Sequence, residues 1–141
     1  MKKLATAALC FFGAIAMAAC TGTESAQSDK STLEKAGWTV SVYTAEEYKT
    51  TTTAEIFEMT EGLTNNLVAV KAPTDGSINA EALTAFYFGS FEQAEEFQHK
   101  NFATLYRLFG GDSQATSYGI RNNVAYAGHK TAINLLGWAT V

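Results

Sequence analysis

The chain has little cysteine and almost no proline: two Cys, Cys10 and Cys20, and one Pro, Pro73, in 141 residues. Two cysteines so near the start cannot staple the rest of the chain, and they form no thiolate cluster for a structural metal. Any fold downstream rests on its own apolar core, for which the roughly 110 residues beyond residue 32 suffice. Long apolar runs are also lacking. Residues 4–19 form the one extended uncharged stretch at the start, short of the ~20 residues a spanning helix needs. Positive charge is scarce, with 10 Lys and Arg against 14 Asp and Glu and a formal charge of −4. No basic stripe stands out, which argues against nucleic acid as a partner and against polybasic adhesion to anionic lipid.

Catalytic patterns are missing too. Ser41, Ser90, Ser113 and Ser117 lack the nucleophile-elbow context. Gly110-Gly111-Asp112 is a helix stop and turn without the spacing of a phosphate cradle. Glu96-x-x-His99 has the spacing of half a di-metal carboxylate site, which needs a second such pair and two further Glu; alone it reads as a solvated helix face. His129 stands at the start of the last helix, and the sequence does not bring it to His99. No enzyme activity, metal or cofactor is expected.

What is present begins with a leader. Met1, Lys2 and Lys3 precede the apolar run, which ends in the small residues of Met17-Ala18-Ala19-Cys20. A charged start, a short apolar core and a small-residue boundary form a secretory signal. The tetrapeptide resembles the lipobox of bacterial lipoprotein precursors, departing at Met17, where Leu is commoner. That resemblance implies a signal peptide over 1–19, cleavage before Cys20, and acylation (diacylglycerol, palmitate) of Cys20 as the link to a cell membrane on its extracytoplasmic side. Two or more chains anchor stably where one does not. Thr21 stands where Asp would retain a lipoprotein in the inner membrane, so in a two-membrane bacterium the resemblance implies the outer membrane. Cys10 leaves with the signal, and losing Lys2 and Lys3 takes the formal charge to −6.

Residues 20–32 carry the lipidated Cys and a small polar segment without large apolar side chains, expected to be a flexible tether. A single domain is expected over 33–141. WTVSVYT (38–44) alternates as a half-buried strand. Thr44-Ala-Glu-Glu47 is a capping box that starts a helix at Ala45, although the β-branched run at 50–53 weakens its middle. NLVAVKA (66–72) is a second strand, Pro73-Thr-Asp-Gly76 a turn, and ALTAFYFG (82–89) a third strand. Ser90-Phe-Glu-Gln93 starts a second helix whose stripe runs through Ala94, Phe97, Phe102, Leu105 and Phe109 and stops at Gly110-Gly111. NVAYA (123–127) is a fourth strand and residues 129–136 a short closing helix.

Strand, capping box and helix thus occur twice, each time followed by a similar phrase, Gly62-Leu-Thr-Asn-Asn-Leu67 and Gly119-Ile-Arg-Asn-Asn-Val124. The order predicts an α+β fold, a ferredoxin-like βαββαβ sandwich with a short C-terminal helix. The strand followed by Ser90-x-Glu92-x-Ala94-x-x-Phe97 resembles small bacterial envelope lipoproteins of unknown function, a likeness that implies no activity. Alternation assigns Val40, Val42, Val68, Val70, Phe86 and Phe88 to a core under the helices. It leaves Ser41, Tyr43, Ala69, Lys71, Ala85 and Tyr87 on an open face. Ser41, Tyr43, Lys71 and Tyr87 are the candidate binding residues, with Tyr rings giving contact area at low entropy cost. Three readings of that face stand: a surface for an envelope protein partner or a homodimer, a shallow small-ligand or sensing site, or a solvated sheet.

Overall fold

The computed structural model describes residues 25–73, 80–110 and 115–138. The signal, the lipobox with Cys20, and most of the turn after Pro73 lie outside the described residues. In chain order the elements are α1 (Ala26–Lys35), β1 (Thr39–Thr44), α2 (Ala45–Tyr48), a 3-10 helix (Thr52–Glu55), β2 (Leu63–Lys71), β3 (Glu81–Phe88), α3 (Phe91–Lys100), α4 (Phe102–Phe109), β4 (Thr116–Arg121), β5 (Val124–His129) and α5 (Lys130–Leu135). The fold is α+β, built on a five-stranded sheet of order β1-β2-β3-β5-β4 in which every pairing is antiparallel.

The folded body starts earlier than composition suggests. Ser25 caps α1, and Ala26, Asp29 and Leu33 turn inward along one side of it. The expected tether over 20–32 therefore gives way to helix from Ala26. Beside the buried Ala26 and Leu33 a polar tie holds this helix to the sheet: the Tyr87 hydroxyl donates to Asp29 Oδ2 at 2.7 Å.

The sheet order also departs from a ferredoxin-like sandwich, whose βαβ halves would set their strands parallel. β1 and β2 are instead antiparallel neighbours, with Val40 opposite Ala69 and Val42 opposite Leu67. The capping box forms as expected, Glu47 N donating to Thr44 Oγ1 and Thr44 N to Glu47 Oε1. One turn later the Thr50 and Thr51 hydroxyls donate to the carbonyls of Glu47 and Tyr48 at 2.8 and 2.7 Å. Such back-bonds compete with the helix ladder, and α2 ends at Tyr48. Parallel neighbours are usually joined by a full crossover helix, and here the chain folds back as a meander. The true crossover is β3–α3–α4–β4. It delivers β4, a strand absent from the expected order, to the far edge, and β5 returns between β4 and β3.

The internal repeat has no structural counterpart. Asn65 and Asn66 lie inside β2, beside a register irregularity. Asn122 and Asn123 make the two-residue turn between β4 and β5, with Asn122 at φ 54°.

Helices cover both faces of the sheet. On one face α1 and α5 pack over Val40, Leu67, Ala69, Leu83, Ala85, Tyr87, Val124 and Tyr126. On the other, α2, the 3-10 segment, α3 and α4 enclose Tyr48, Phe57, Phe86, Phe88, Phe97 and Leu105. Val40 and Val42 therefore lie on the opposite face from Phe86 and Phe88, not beside them. Burial on both faces explains the unbroken buried run of β3 from Ala85 to Phe88, and three-layer packing of this kind is an established architecture. Tyr48 is fully buried, and burial pushes its phenol up to about 12. The expected helical stripe is broken at Asn101. Its side-chain amide donates to Phe97 O and Glu58 O, and its Oδ1 accepts from Glu58 N at 2.7 Å. The break keeps Ala94, Phe97 and Leu105 inside and leaves Phe102 53% exposed.

Candidate binding groove beside the edge strand

The four residues expected on one open face are divided between two. Ser41 and Tyr43 share the face of Asn66 and Phe86, since Tyr43 pairs with Asn66 and Asn66 with Phe86. Lys71 and Tyr87 belong to the face under α1 and α5. Tyr87 is 1% exposed and holds Asp29. Lys71 reaches along the end of α1 beside Gly37. Tyr87 therefore ties α1 to the sheet rather than meeting a partner.

The structure concentrates accessible features at the other end of the sheet, along β4. Among the described residues this strand is paired on one side only, to β5. Alternate residues of such an edge turn their N–H and C=O groups outward, ready to pair. From Thr116 to Ile120 the strand carries no charge, whereas edge strands are commonly blunted by charge or proline.

One face of β4 opens into a groove of about 430 Å³ between the strand and α5. β4 lines it from Ser117 to Ile120, together with Tyr126 of β5 and Lys130, Ile133 and Asn134 of α5. A Cβ at Gly119 would stand 2.8 Å from the Tyr126 hydroxyl oxygen, so a larger residue there requires the Tyr126 ring to shift. The Tyr126 ring packs on Trp138 with centroids 5.1 Å apart. Its hydroxyl donates to Trp138 O at 3.4 Å. Burial raises the Tyr126 phenol and the positive charge of Arg121 opposes that rise; Arg121 lies two residues along β4 from Gly119, the register partner of Tyr126.

The opposite face of β4 meets α4. Tyr118 packs edge-on against Phe102 at 6.2 Å, and Phe102 stacks with Tyr106 at 6.1 Å. Phe102 and Tyr106 are each more than half exposed. These rings lie exposed beside Tyr118 of β4 and have no core role comparable with Phe97.

The other polar candidates stay apart from this site. The Glu96 and His99 side chains are exposed on α3, and His129 Nδ1 accepts from Ala82 N at 3.0 Å. Among the described residues no group of three or more His, Cys, Asp or Glu could hold a metal ion. A second, shallower groove of about 330 Å³ lies beside Phe57, Glu58 and Asn101. Its polar floor is satisfied by the Asn101 bonds to Glu58.

Sequence reasoning missed the β4 site because it missed the strand. The signal was there: SYGIR and VAYAG alternate on either side of Asn122-Asn123, a pair suited to a two-residue hairpin. No family model, no curated protein and no solved structure matches this chain.

Proposed function

We propose that this chain is an extracytoplasmic lipoprotein, held to a membrane by acyl chains on Cys20, whose folded body is a non-catalytic binding module that engages a protein partner along the β4 edge. The observation that carries the reading is the conjunction at β4: a strand uncharged from Thr116 to Ile120 and paired on one side only among the described residues, a groove on one of its faces and exposed aromatic rings on the other. Strand addition at a sheet edge is a recurrent mode of peptide recognition, with backbone bonds supplying affinity and flanking pockets supplying specificity. The anchor rests on the leader sequence. Among the described residues no helix is long and apolar enough to cross a membrane. With Ser25 already capping α1, only residues 21–24 separate Cys20 from the fold. Their reach is at most about 18 Å, so the module works close to the membrane surface.

A second reading, a small-ligand or sensing module, is favoured by the groove volume, which falls in the range of ligand sites, roughly 300–1,000 Å³. It leaves Phe102 and Tyr106 without a role.

The test is site-specific photo-crosslinking in the full chain, expressed with its own leader. A photo-reactive residue at Tyr118 is expected to give a discrete protein adduct, and the same residue at exposed Glu95 none. Equal results at the two positions would overturn the partner reading. In the same preparation the mature chain is expected to be heavier than its peptide by acyl chains. An unmodified Cys20 in membrane-extracted protein would overturn the anchor.

A further inference from the structure

Charge is distributed unevenly along the chain, and the imbalance falls on the groove. The 14 Asp and Glu all precede residue 113, Asp112 being the last. The strand-and-helix corner that follows carries Arg121, His129 and Lys130 and no acid. In an otherwise acidic protein, β4, β5 and α5 form a local cationic corner. Lys130 lines the groove, and Arg121 follows Gly119 on the same face of β4. One carboxylate comes near from another element: Glu81 on β3 accepts from the Thr131 hydroxyl at 3.0 Å. Glu81 is not part of the groove lining, which contains no acidic side chain among the described residues.

The two faces flanking β4 thus differ in chemistry. An extended segment added alongside β4 would place alternate side chains on opposite faces. One set would enter the groove between Arg121 and Lys130. The other set would lie against Tyr118 and the exposed rings of Phe102 and Tyr106. We propose, building on the edge-strand reading above, that the partner of β4 is an extended segment alternating acidic with apolar residues, its carboxylates in the groove and its apolar side chains on the aromatic ledge. A second copy of this chain fits less well. Two β4 strands paired about a twofold axis would bring the same cations together, and like charges across an interface oppose association.

The probe is a synthetic peptide of about eight residues alternating Glu with Val, slightly longer than the six residues of β4. Its companions alternate Lys with Val and Ser with Val. A fourth peptide repeats the acidic sequence with N-methyl groups on alternate amides, which removes the donors a strand must offer. Binding to the purified mature chain is read by fluorescence anisotropy. The acidic peptide is expected to bind at least about tenfold tighter than the Lys peptide, with the preference weakening as salt rises. N-methylation is expected to abolish binding in one of its two alternate registers. Arg121→Glu with Lys130→Glu, both at exposed positions, is expected to invert the preference while leaving the thermal unfolding midpoint within a few degrees.

Equal binding of the acidic and Lys peptides, or a preference unmoved by the double reversal, would overturn the acidic partner. If the Ser peptide then still bound with its backbone amides required, the edge-strand reading would stand and only the partner's chemistry would fall. Acidic binding that survives N-methylation in both registers would overturn strand addition. Concentration-dependent dimerisation with no peptide binding would assign the edge to a second copy and overturn the proposal.

Discussion

Phe97→Ala is expected to lower the unfolding free energy by about 4 kcal/mol, the middle of the range for emptying a buried aromatic site. Phe97 is fully buried and central to the aromatic layer between α3 and the sheet. Its ring centroid lies 4.4 Å from that of Phe86, 5.4 Å from Phe88 and 6.3 Å from Phe57. The three neighbours come from two segments. Phe86 and Phe88 are on central strand β3, and Phe57 follows the 3-10 helix pinned through Glu58 to Asn101. The cavity cannot collapse easily, because β3 is buried on both faces and cannot move toward α3 without opening the layer beneath it. A domain of this size has roughly 5–15 kcal/mol in total, so the variant sits near the edge of folding. Urea denaturation checks this: the midpoint is expected to fall sharply with the slope retained. A loss under about 1 kcal/mol would contradict the packing described.

Gly128→Ala is expected to be nearly as damaging, by a steric route rather than a cavity. Gly128 lies in β5 at φ 155°, opposite Leu83 of β3. A Cβ there would stand 2.5 Å from Ala82 O and 2.6 Å from Leu83 Cα. Both are backbone atoms of a strand hydrogen-bonded on two sides, so neither can step aside as a flexible side chain would. Relief requires β5 to part from β3 near the end of the ladder, which also disturbs His129 and its bond from Ala82 N. Overpacking and an unfavourable backbone conformation each cost about 1–3 kcal/mol. The combined expectation is about 3 kcal/mol or more, a fall of roughly 12 °C or more in the thermal midpoint. A midpoint unchanged within a few degrees would mean that β5 and β3 do not approach this closely.

The local signals of the sequence were legible where a single segment decides them. The Thr44–Glu47 capping box and the Ser90 cap depend on contacts a few residues apart, and the structure has both; it also has the α+β class that the mixture of helix and strand patterns implies. What local pattern does not carry is pairing. The same alternation of WTVSVYT suits a strand covered on either face, and only the register Val40↔Ala69 assigns Val40 to the layer with Tyr87. Tyr87 illustrates the consequence. An amphipathic ring on a strand suits an open surface, but a buried acceptor elsewhere in the chain suits it as well. Asp29, 58 residues away, is that acceptor. The polar composition of residues 21–32 hid α1 for the same reason, since the Tyr87 hydroxyl that Asp29 accepts from lies far along the chain. β4 was legible in principle through its hairpin turn, yet the resemblance of Gly119–Val124 to Gly62–Leu67 drew it into a repeat. The groove followed the strand: its lining comes from β4, β5 and α5, whose adjacency is a property of the sheet order.

The most direct test of the account is amide hydrogen exchange over residues 116–121, compared between the full lipidated chain in its native membrane and the purified mature chain. Outward-facing amides of an unpaired edge exchange freely, and a strand added beside them slows that exchange. The expected result is slowed exchange at β4 in the membrane, with β1, the opposite edge at Thr39–Thr44, unchanged between the two preparations. Equal exchange at β4 in both, or protection that falls on β1 instead, would contradict the assignment of β4 as the binding edge.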